Sequence, residues 1–155
     1  MGYLHKNGIL HRDLKPENVM ITEIISPKDK KKIPIIKLVD FGMATFIGPN
    51  QKYIESMGTL NYAAPEILTG RPYNHKVDTY SLGVILYEMI VKSAPLVSQD
   101  QIELMEMIIC VKPKFSRKQF DKYSGKVRDL LEKLLIKEPR ERLGASEALN
   151  HPWFD

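Results

Sequence analysis

The sequence predicts a mainly α-helical domain that carries one small β-hairpin. Its 155 residues are enough for one domain and too few for two full-sized ones. Two short runs rich in β-branched residues lie in the first half, at residues 19–22 and 35–39. The second half instead repeats apolar residues at helical spacing. We therefore expect one helical body with the hairpin at its edge.

The two β-branched runs are joined by a polar loop. Residues 19–22 read Val-Met-Ile-Thr and residues 35–39 read Ile-Ile-Lys-Leu-Val, which is typical of short strands. Because the loop at residues 23–34 is short, the two strands are predicted to form an antiparallel hairpin. Residues 40–76 are rich in Gly and Pro and have no sustained period. A long irregular stretch of this kind inside a compact domain is commonly either functional or mobile.

Four segments of the second half have helical patterns. Residues 77–91 are apolar nearly all round, which predicts a buried central helix. Residues 100–111 and 126–137 each place their apolar residues on one face, as an amphipathic helix does. A last short helix, at about residues 145–150, is predicted to stop at Pro152.

Composition and charge exclude several classes of protein. Hydrophobic residues make up 43% of the chain and charged residues 27%, which argues against disorder. The single cysteine, Cys110, excludes an internal disulfide framework and a cysteine-cluster zinc site. The net charge is +4, but the one dense basic run, residues 28–32, has no interleaved aromatic residues. We interpret it as a solvated loop rather than a nucleic-acid patch.

The apolar stretches are too short to span a bilayer. The N-terminus has no hydrophobic signal region, and a single cysteine fits a reducing compartment. We therefore expect an intracellular, cytoplasmic protein that binds neither nucleic acid nor membrane.

Three short motifs occur in order around the predicted hairpin. Residues 11–18 read His-Arg-Asp-Leu-Lys-Pro-Glu-Asn and directly precede the first strand. Residues 40–42 read Asp-Phe-Gly and directly follow the second strand, and residues 64–66 read Ala-Pro-Glu. Each tripeptide alone is a weak signal. Together, in this order and on this strand–loop–strand frame, they are a strong one.

These motifs resemble the C-terminal lobe of a eukaryotic protein kinase, and the resemblance runs from about residue 4 to residue 154. It extends to four more segments. Residues 58–66 resemble a substrate-docking segment, and residues 78–83 resemble the start of a buried helix, with Tyr80 where the family usually has Trp. Residues 139–143 resemble the turn before the last helix, and residues 151–154 resemble the end of the domain. Lys15 and the activation-segment residue Thr59 resemble those of the serine/threonine class. Residues 147–153 are most similar to the calcium/calmodulin-dependent protein kinase group.

The resemblance implies transfer of the γ-phosphate of ATP to a protein hydroxyl with Mg²⁺. Asp13 would accept the proton of that hydroxyl, and Lys15 would neutralise the transferring phosphoryl group. Asn18 and Asp40 would bind Mg²⁺, which prefers hard oxygen ligands. Met20 resembles the residue under the adenine ring, although a strand methionine is as often plain core. Taken singly, the two aspartates would be solvated turn carboxylates and Asn18 a turn cap; the co-occurring motifs favour the catalytic interpretation.

Other residues receive structural and substrate-binding roles from the same resemblance. Glu66 and Arg142 are expected to form a buried ion pair, and Asp78 to begin the buried helix. Glu17 and Glu88 match the acidic positions of kinases that prefer arginine a few residues before the target hydroxyl. We therefore expect a protein substrate that is basic upstream of that hydroxyl.

Arg12 directly precedes the expected catalytic aspartate. In kinases with this arginine, a phosphorylated residue of the activation segment usually neutralises it. Glu55 stands at that position here, three residues before Gly58, and a carboxylate can accept a bidentate guanidinium pair. The alternative is that Glu55 is solvated and the adjacent Ser56 is the switch.

The N-terminal lobe of the kinase family has no counterpart in this sequence, which contains no Gly-rich phosphate loop and no strand lysine in its usual context. We therefore expect residues 1–155 to be a partial protein kinase domain, either a fragment or a product truncated at an internal methionine. Apolar groups such as Met20 and Leu38 are then expected to be exposed on its upper surface. His11 and Phe41 are expected to stack in the core.

The alternative function is a non-catalytic half-kinase that acts as a protein-interaction module. The intact catalytic motifs weigh against this alternative, and the missing lobe weighs for it. No calcium-binding loop occurs in the sequence, so any calcium regulation is expected from a segment outside this chain.

Overall fold

The computed structural model describes residues 1–25, 33–116, 120 and 123–155. The chain forms α1 (Gly2–Lys6), β1 (Ile9–Leu10), β2 (Val19–Ile25), β3 (Ile33–Leu38), β4 (Thr45–Phe46), α2 (Pro65–Leu68), α3 (Lys76–Val91), α4 (Gln101–Cys110), α5 (Gly125–Leu134) and α6 (Ala145–Leu149). Short 3-10 turns lie at Pro16–Asn18, Leu60–Tyr62 and Pro152–Phe154. The fold is mostly helical with small antiparallel sheets. Within the described ranges, the structure contains no helix with the length and apolarity needed to cross a membrane.

The predicted hairpin is confirmed, and its strands are longer than predicted. β2 and β3 pair antiparallel, with Val19 opposite Leu38 at the end nearest the helices. Part of the predicted loop at residues 23–34 is therefore strand. The basic run at residues 28–32 lies outside the described residues.

A second two-stranded sheet was not predicted. β1 pairs antiparallel with β4, with Ile9 opposite Phe46 and Leu10 opposite Thr45. Each strand has two residues, which is too short to produce alternation in the sequence. The pair joins the segment before residues 11–18 to the segment after residues 40–42.

The four predicted helices of the second half are confirmed as α3 to α6. α3 is the central one, and its Val77, Tyr80 and Val84 are buried in the main core together with residues of α5. Gly83 permits this close packing, because a Cβ at this position would lie 2.9 Å from the Cβ of Leu134. The core therefore lies between α3 and α5.

The predicted end of α5 at residue 137 is wrong, since the helix ends at Leu134. Beyond it, the carbonyls of Ile136 and Lys137 accept hydrogen bonds from the Arg142 side chain, at 2.8 and 3.0 Å. Pro139 follows, and the helical conformation is disfavoured for the residue directly before a proline. The apolar pattern of the sequence continues past Leu134. It does not predict the end of the helix, because that end depends on the Arg142 side chain, which binds the backbone carbonyls.

Candidate active site

The backbone of residues 11–18 is anchored to a buried carboxylate in the first turn of α3. Asp78 accepts hydrogen bonds from the backbone amides of His11, at 3.0 Å, and Arg12, at 2.8 Å. Nε2 of His5 lies 2.8 Å from the same carboxylate. Arg12 has a φ of 68°, a left-handed conformation that is costly for a residue other than glycine. The bonds to Asp78 offset this cost and hold the loop in place.

The Asp13 carboxylate lies within a hydrogen-bond network with Lys15 and Thr59. Its Oδ1 accepts bonds from the backbone amide of Thr59, at 3.0 Å, and from the Thr59 hydroxyl, at 2.8 Å. Its Oδ2 lies 2.8 Å from Nζ of Lys15, which also donates to the Thr59 hydroxyl at 3.0 Å. Burial raises the pKa of Asp13, but the hydrogen bonds from Lys15 and Thr59 outweigh burial and hold this pKa below its ordinary value. Asp13 is therefore an ionised acceptor at neutral pH.

Gly58 brings the Thr59 segment against the loop that carries Asp13. Its φ is +97°, and a Cβ at this position would lie 2.6 Å from the backbone oxygen of Arg12. Only glycine fits both the conformation and the space. The Thr59 bonds to Asp13 therefore depend on a glycine at residue 58.

Asn18 and Asp40 stand at neighbouring ends of the hairpin strands. The backbone amide of Val39 donates to the carbonyl of Asn18 at 3.0 Å, which ties the two ends together. The Asn18 side-chain amide donates to the Asp13 carbonyl at 2.8 Å, and Oδ1 of Asp40 accepts from the Gly42 amide at 3.2 Å. Within the described part of the chain, Oδ1 of Asn18 and Oδ2 of Asp40 take no further hydrogen bond.

These two oxygens fit a magnesium ion. An amide oxygen and a carboxylate oxygen are hard donors, and Mg²⁺ is commonly held by one or two such protein groups together with substrate phosphates. Among the residues that the structure describes, no group of three or more His, Cys, Asp or Glu side chains forms a metal site.

The Arg12 side chain lies in a cluster of polar and aromatic groups. Its Nη1 donates to Oε2 of Glu55 at 2.9 Å, and its Nε donates to the Met43 carbonyl at 2.6 Å. The guanidinium lies 4.6 Å from the Tyr53 ring centre. Burial lowers the pKa of Arg12, but hydrogen bonds with Tyr73 and Glu55 outweigh burial and raise it. The expected Arg12–Glu55 contact is present, but it is a single hydrogen bond rather than a bidentate pair.

Glu66 and Arg142 form the buried ion pair that the sequence predicts. Nη1 of Arg142 lies 2.6 Å from Oε1 of Glu66, and Nη2 lies 2.9 Å from Oε2. The same guanidinium donates to three backbone carbonyls, those of Lys76, Ile136 and Lys137. Both side chains are almost fully buried. This pair joins α2 to the turn before α6.

Comparison with known sequences identifies the family. A family model described as "Protein kinase domain" matches residues 1–154. The chain belongs to the protein kinase family. It is 40% identical over 168 residues to the DNA damage response protein kinase DUN1 of Saccharomyces cerevisiae, a match that covers 100% of this chain and 32% of that protein.

Two further relatives of this chain have calcium dependence in their names. Identity is 37% over 152 residues with calcium-dependent protein kinase 4 of Plasmodium falciparum, covering 98% of the chain and 28% of the relative. It is 38% over 155 residues with calcium/calmodulin-dependent protein kinase type II subunit delta of Oryctolagus cuniculus, covering 99% and 28%. The chain spans about a third of the length of the curated relatives it matches.

The hairpin of the kinase chain exposes apolar side chains near the site. Met20 is 49% exposed and Leu38 is half-buried, so the prediction of exposed apolar groups is confirmed for Met20. His11 is fully buried and its ring lies 4.9 Å from that of Phe41. Phe41 itself is 45% exposed, so its predicted place in the core is wrong. The Phe41 ring packs on His11 at one side. The rest of the ring is not covered by any residue that the structure describes.

Tyr62 was not singled out from the sequence, but it contacts one of the expected substrate-binding residues, Glu88. Its hydroxyl donates to Oε2 of Glu88 at 3.0 Å. Burial, the bond to Glu88 and the charges of Glu88 and Glu17 all raise the pKa of Tyr62. The structure thus joins Tyr62 to Glu88 of α3, one of the two expected substrate-binding glutamates. The sequence signal that could have identified Tyr62 was its position within residues 58–66, which resemble a substrate-docking segment.

Proposed function

We propose that the protein is a serine/threonine kinase that transfers the γ-phosphate of ATP to a hydroxyl of a protein substrate, and that residues 1–155 form the C-terminal lobe of its kinase domain. The observation that supports this best is the placement of Asp13 between Lys15 and Thr59. Phosphoryl transfer needs a positioned acceptor for the hydroxyl proton and a positive charge beside the transferred group. Asp13 and Lys15 fit these two requirements.

Each residue of the network has one task in this proposal. Asp13 accepts the proton of the substrate hydroxyl as its oxygen attacks the γ-phosphorus and ADP leaves. Lys15 neutralises charge on the transferred phosphoryl group, and its pKa is raised mainly by the hydrogen bond with Asp13. Thr59 holds Asp13 in position through two hydrogen bonds.

The ATP and magnesium ligands follow from the strand ends. Asn18 and Asp40 would hold Mg²⁺ through the two oxygens described above. When bound, the ion neutralises charge on the phosphates of ATP. Met20, two residues after Asn18 on β2, is exposed and would lie against the adenine ring.

A phosphate-transfer assay tests this function. The full-length protein is incubated with radiolabelled ATP and a serine-containing peptide library, with and without Mg²⁺. Transfer that requires Mg²⁺, and that is lost in Asp40→Asn but retained in Asp155→Asn, is expected. Absence of transfer by a folded, ATP-binding protein would contradict the proposal and favour the non-catalytic interaction module.

The subgroup and location complete the proposal. Residues 147–153 and the names of two relatives support membership of the calcium/calmodulin-dependent group. Regulation would then come from a segment outside these 155 residues. We further propose an intracellular, cytoplasmic kinase whose partner is a protein substrate rather than a nucleic acid or a membrane.

The substrate is expected to carry arginine a few residues before the target hydroxyl. The Tyr62 hydroxyl donates to Glu88 and the charge of Glu17 also raises the pKa of Tyr62, which supports a joint acidic subsite. In a peptide-array screen of the full-length protein, Glu88→Gln should reduce the preference for upstream arginine about tenfold, the loss expected for one charged hydrogen bond. Glu106→Gln, an exposed change on α4, serves as control. An array without arginine enrichment in the wild type would refute this subsite.

Activity is expected without phosphate on the activation segment, because Glu55 already pairs with Arg12. In phosphate-free full-length protein, Glu55→Ala should lower activity roughly two- to fivefold, since the carboxylate is half-exposed and such pairs are weak. Ser56→Ala should leave activity unchanged. The reverse result, with activity lost in Ser56→Ala and kept in Glu55→Ala, would identify Ser56 as the switch.

A further inference from the structure

A cavity beside the activation segment has a lining rich in basic side chains. It has a volume of about 590 Å³ and is formed by Lys52, by the segment from α2 to the start of α3, and by the turn at residues 138–141. Asp13, Asn18 and Asp40 do not line it. Its volume lies within the range of ligand-binding pockets, about 300–1,000 Å³. We call it the basic cavity, and no function proposed above uses it.

Positive charge exceeds negative charge in the lining of the basic cavity. Its charged side chains are the cations Lys52, Arg71, Lys76 and Arg140 and the carboxylates Glu66, Glu138 and Glu141. The charge of Glu66 is already matched by its buried partner Arg142. Four cations therefore stand against two remaining carboxylates, an excess of two positive charges. A cleft with such an excess attracts anions.

Contacts with other lining residues hold two of the cationic groups at the cavity wall. Nη1 of Arg71 lies 3.6 Å from Oε2 of Glu138, and Nζ of Lys76 donates to the Arg140 carbonyl at 3.3 Å. Glu138 and Arg140 themselves line the cavity, so both cationic groups lie beside it. The Arg71–Glu138 contact is long and both side chains are about half-exposed. An exposed pair of this kind is weak, so an anionic ligand can displace the carboxylate from Arg71.

The other two cations are unpaired. In the part of the chain that the structure describes, the side chains of Lys52 and Arg140 take part in no ion pair or hydrogen bond. Both residues are exposed. These two groups can therefore bind an anion without first losing a contact within the protein.

We propose that the basic cavity binds a phosphorylated segment of a protein. A phosphoryl group on a side chain carries nearly two negative charges at neutral pH, which matches the excess of two positive charges in the lining. Arginine binds phosphate oxygens through paired N–H donors, and Arg71 and Arg140 supply such donors. Pro72, Tyr73 and Pro139 also line the cavity and offer apolar contact to the peptide that carries the phosphate. A free phosphate ion could not use that contact.

Tyr73 joins the basic cavity to the activation segment. It lines the cavity, and its backbone pairs with that of Tyr53 through two hydrogen bonds of 2.9 Å. Its hydroxyl donates to the Glu55 carbonyl at 3.0 Å and accepts from Nη1 of Arg12 at 3.4 Å. A bound segment would therefore touch a residue that holds the activation segment. The proposal concerns binding alone, so its test does not depend on kinase activity.

Binding of phosphoserine peptides tests the basic cavity. The full-length protein, without ATP, is applied to an array of peptides that carry a central phosphoserine and varied flanking residues, beside the same peptides with unphosphorylated serine. The best-bound phosphopeptide is then titrated by fluorescence anisotropy. It should bind about tenfold or more tightly than its unphosphorylated form, the gain expected for charged hydrogen bonds. Added salt should weaken its binding, because the cations are exposed to solvent.

Variants of exposed residues locate the bound peptide. Arg140→Ala and Lys52→Ala should each weaken phosphopeptide binding roughly tenfold, the loss of one charged hydrogen bond. Lys126→Ala removes an exposed lysine of α5 that does not line the cavity and should leave the affinity unchanged. Inorganic phosphate should compete only weakly, because it lacks the apolar contacts. The proposal is overturned if phosphorylation brings no gain in binding, if Arg140→Ala and Lys52→Ala bind like the wild type, or if inorganic phosphate binds as tightly as the peptide.

Discussion

Replacing Asp13 by asparagine is expected to lower kcat of the full-length kinase by roughly 10²–10⁴-fold, the range that positioned proton acceptors contribute. The amide is nearly the same size, and its oxygen can still accept the Thr59 bonds. It cannot accept a proton, and its NH₂ group would face Nζ of Lys15 in place of the present 2.8 Å contact. The KM for ATP should change little, because Asn18 and Asp40 remain.

Two comparisons separate loss of chemistry from loss of structure. Asp155→Asn makes the same chemical change at an exposed residue outside the candidate site and should leave kcat unaltered. Thr59→Val removes a donor that lowers the pKa of Asp13, so this pKa should rise and the acid limb of the kcat–pH profile should move to higher pH. A kcat for Asp13→Asn within threefold of wild type would show that Asp13 is not the proton acceptor.

Replacing Arg142 by alanine is expected to destabilise the fold by about 3–5 kcal/mol, because it leaves the Glu66 charge buried without a partner. The loss also removes the donors to the carbonyls of Lys76, Ile136 and Lys137. The guanidinium lies 5.0 Å from the Tyr80 ring centre, so a cation–π contact is lost as well. The free energy of unfolding from urea denaturation measures the effect.

The neighbouring Arg140 provides the matched control. It is exposed, and Arg140→Ala should change stability by no more than about 0.5 kcal/mol. Glu66→Gln should be destabilising in the same way as Arg142→Ala, and the double variant should cost less than the sum of the two. Additive losses would mean that the two side chains act independently and that the pair is not the source of the effect.

The parts of the candidate site that are close in sequence were predictable. Asp13, Lys15 and Asn18 lie within one short motif, and the hairpin places Asp40 beside Asn18. The Glu66–Arg142 pair was predicted only because both residues belong to motifs of a known family. Residue types and local spacing, together with the family resemblance, thus indicated which groups would lie together in the candidate site.

The parts that depend on distant contacts were not predictable. Nothing local marks Asp78 as the acceptor for the amides of His11 and Arg12, which lie 67 and 66 residues away. Tyr53 and Tyr73 meet around Arg12 from an irregular segment without periodicity. The same limit explains the fold, since β1 and β4 are too short for a pattern and the end of α5 depends on a side chain from a later turn.

The Asp78 anchor has a consequence for how the chain matures during synthesis. The loop at residues 11–18 leaves the ribosome before its acceptor, which follows 66 residues after Arg12, and the partner of Glu66 comes 76 residues after Glu66. Contacts of such long sequence separation form late, because loop closure must precede them. We therefore expect this loop to be among the last of these 155 residues to become native, and a nascent chain halted before α3 to present it in unstructured form to chaperones and proteases.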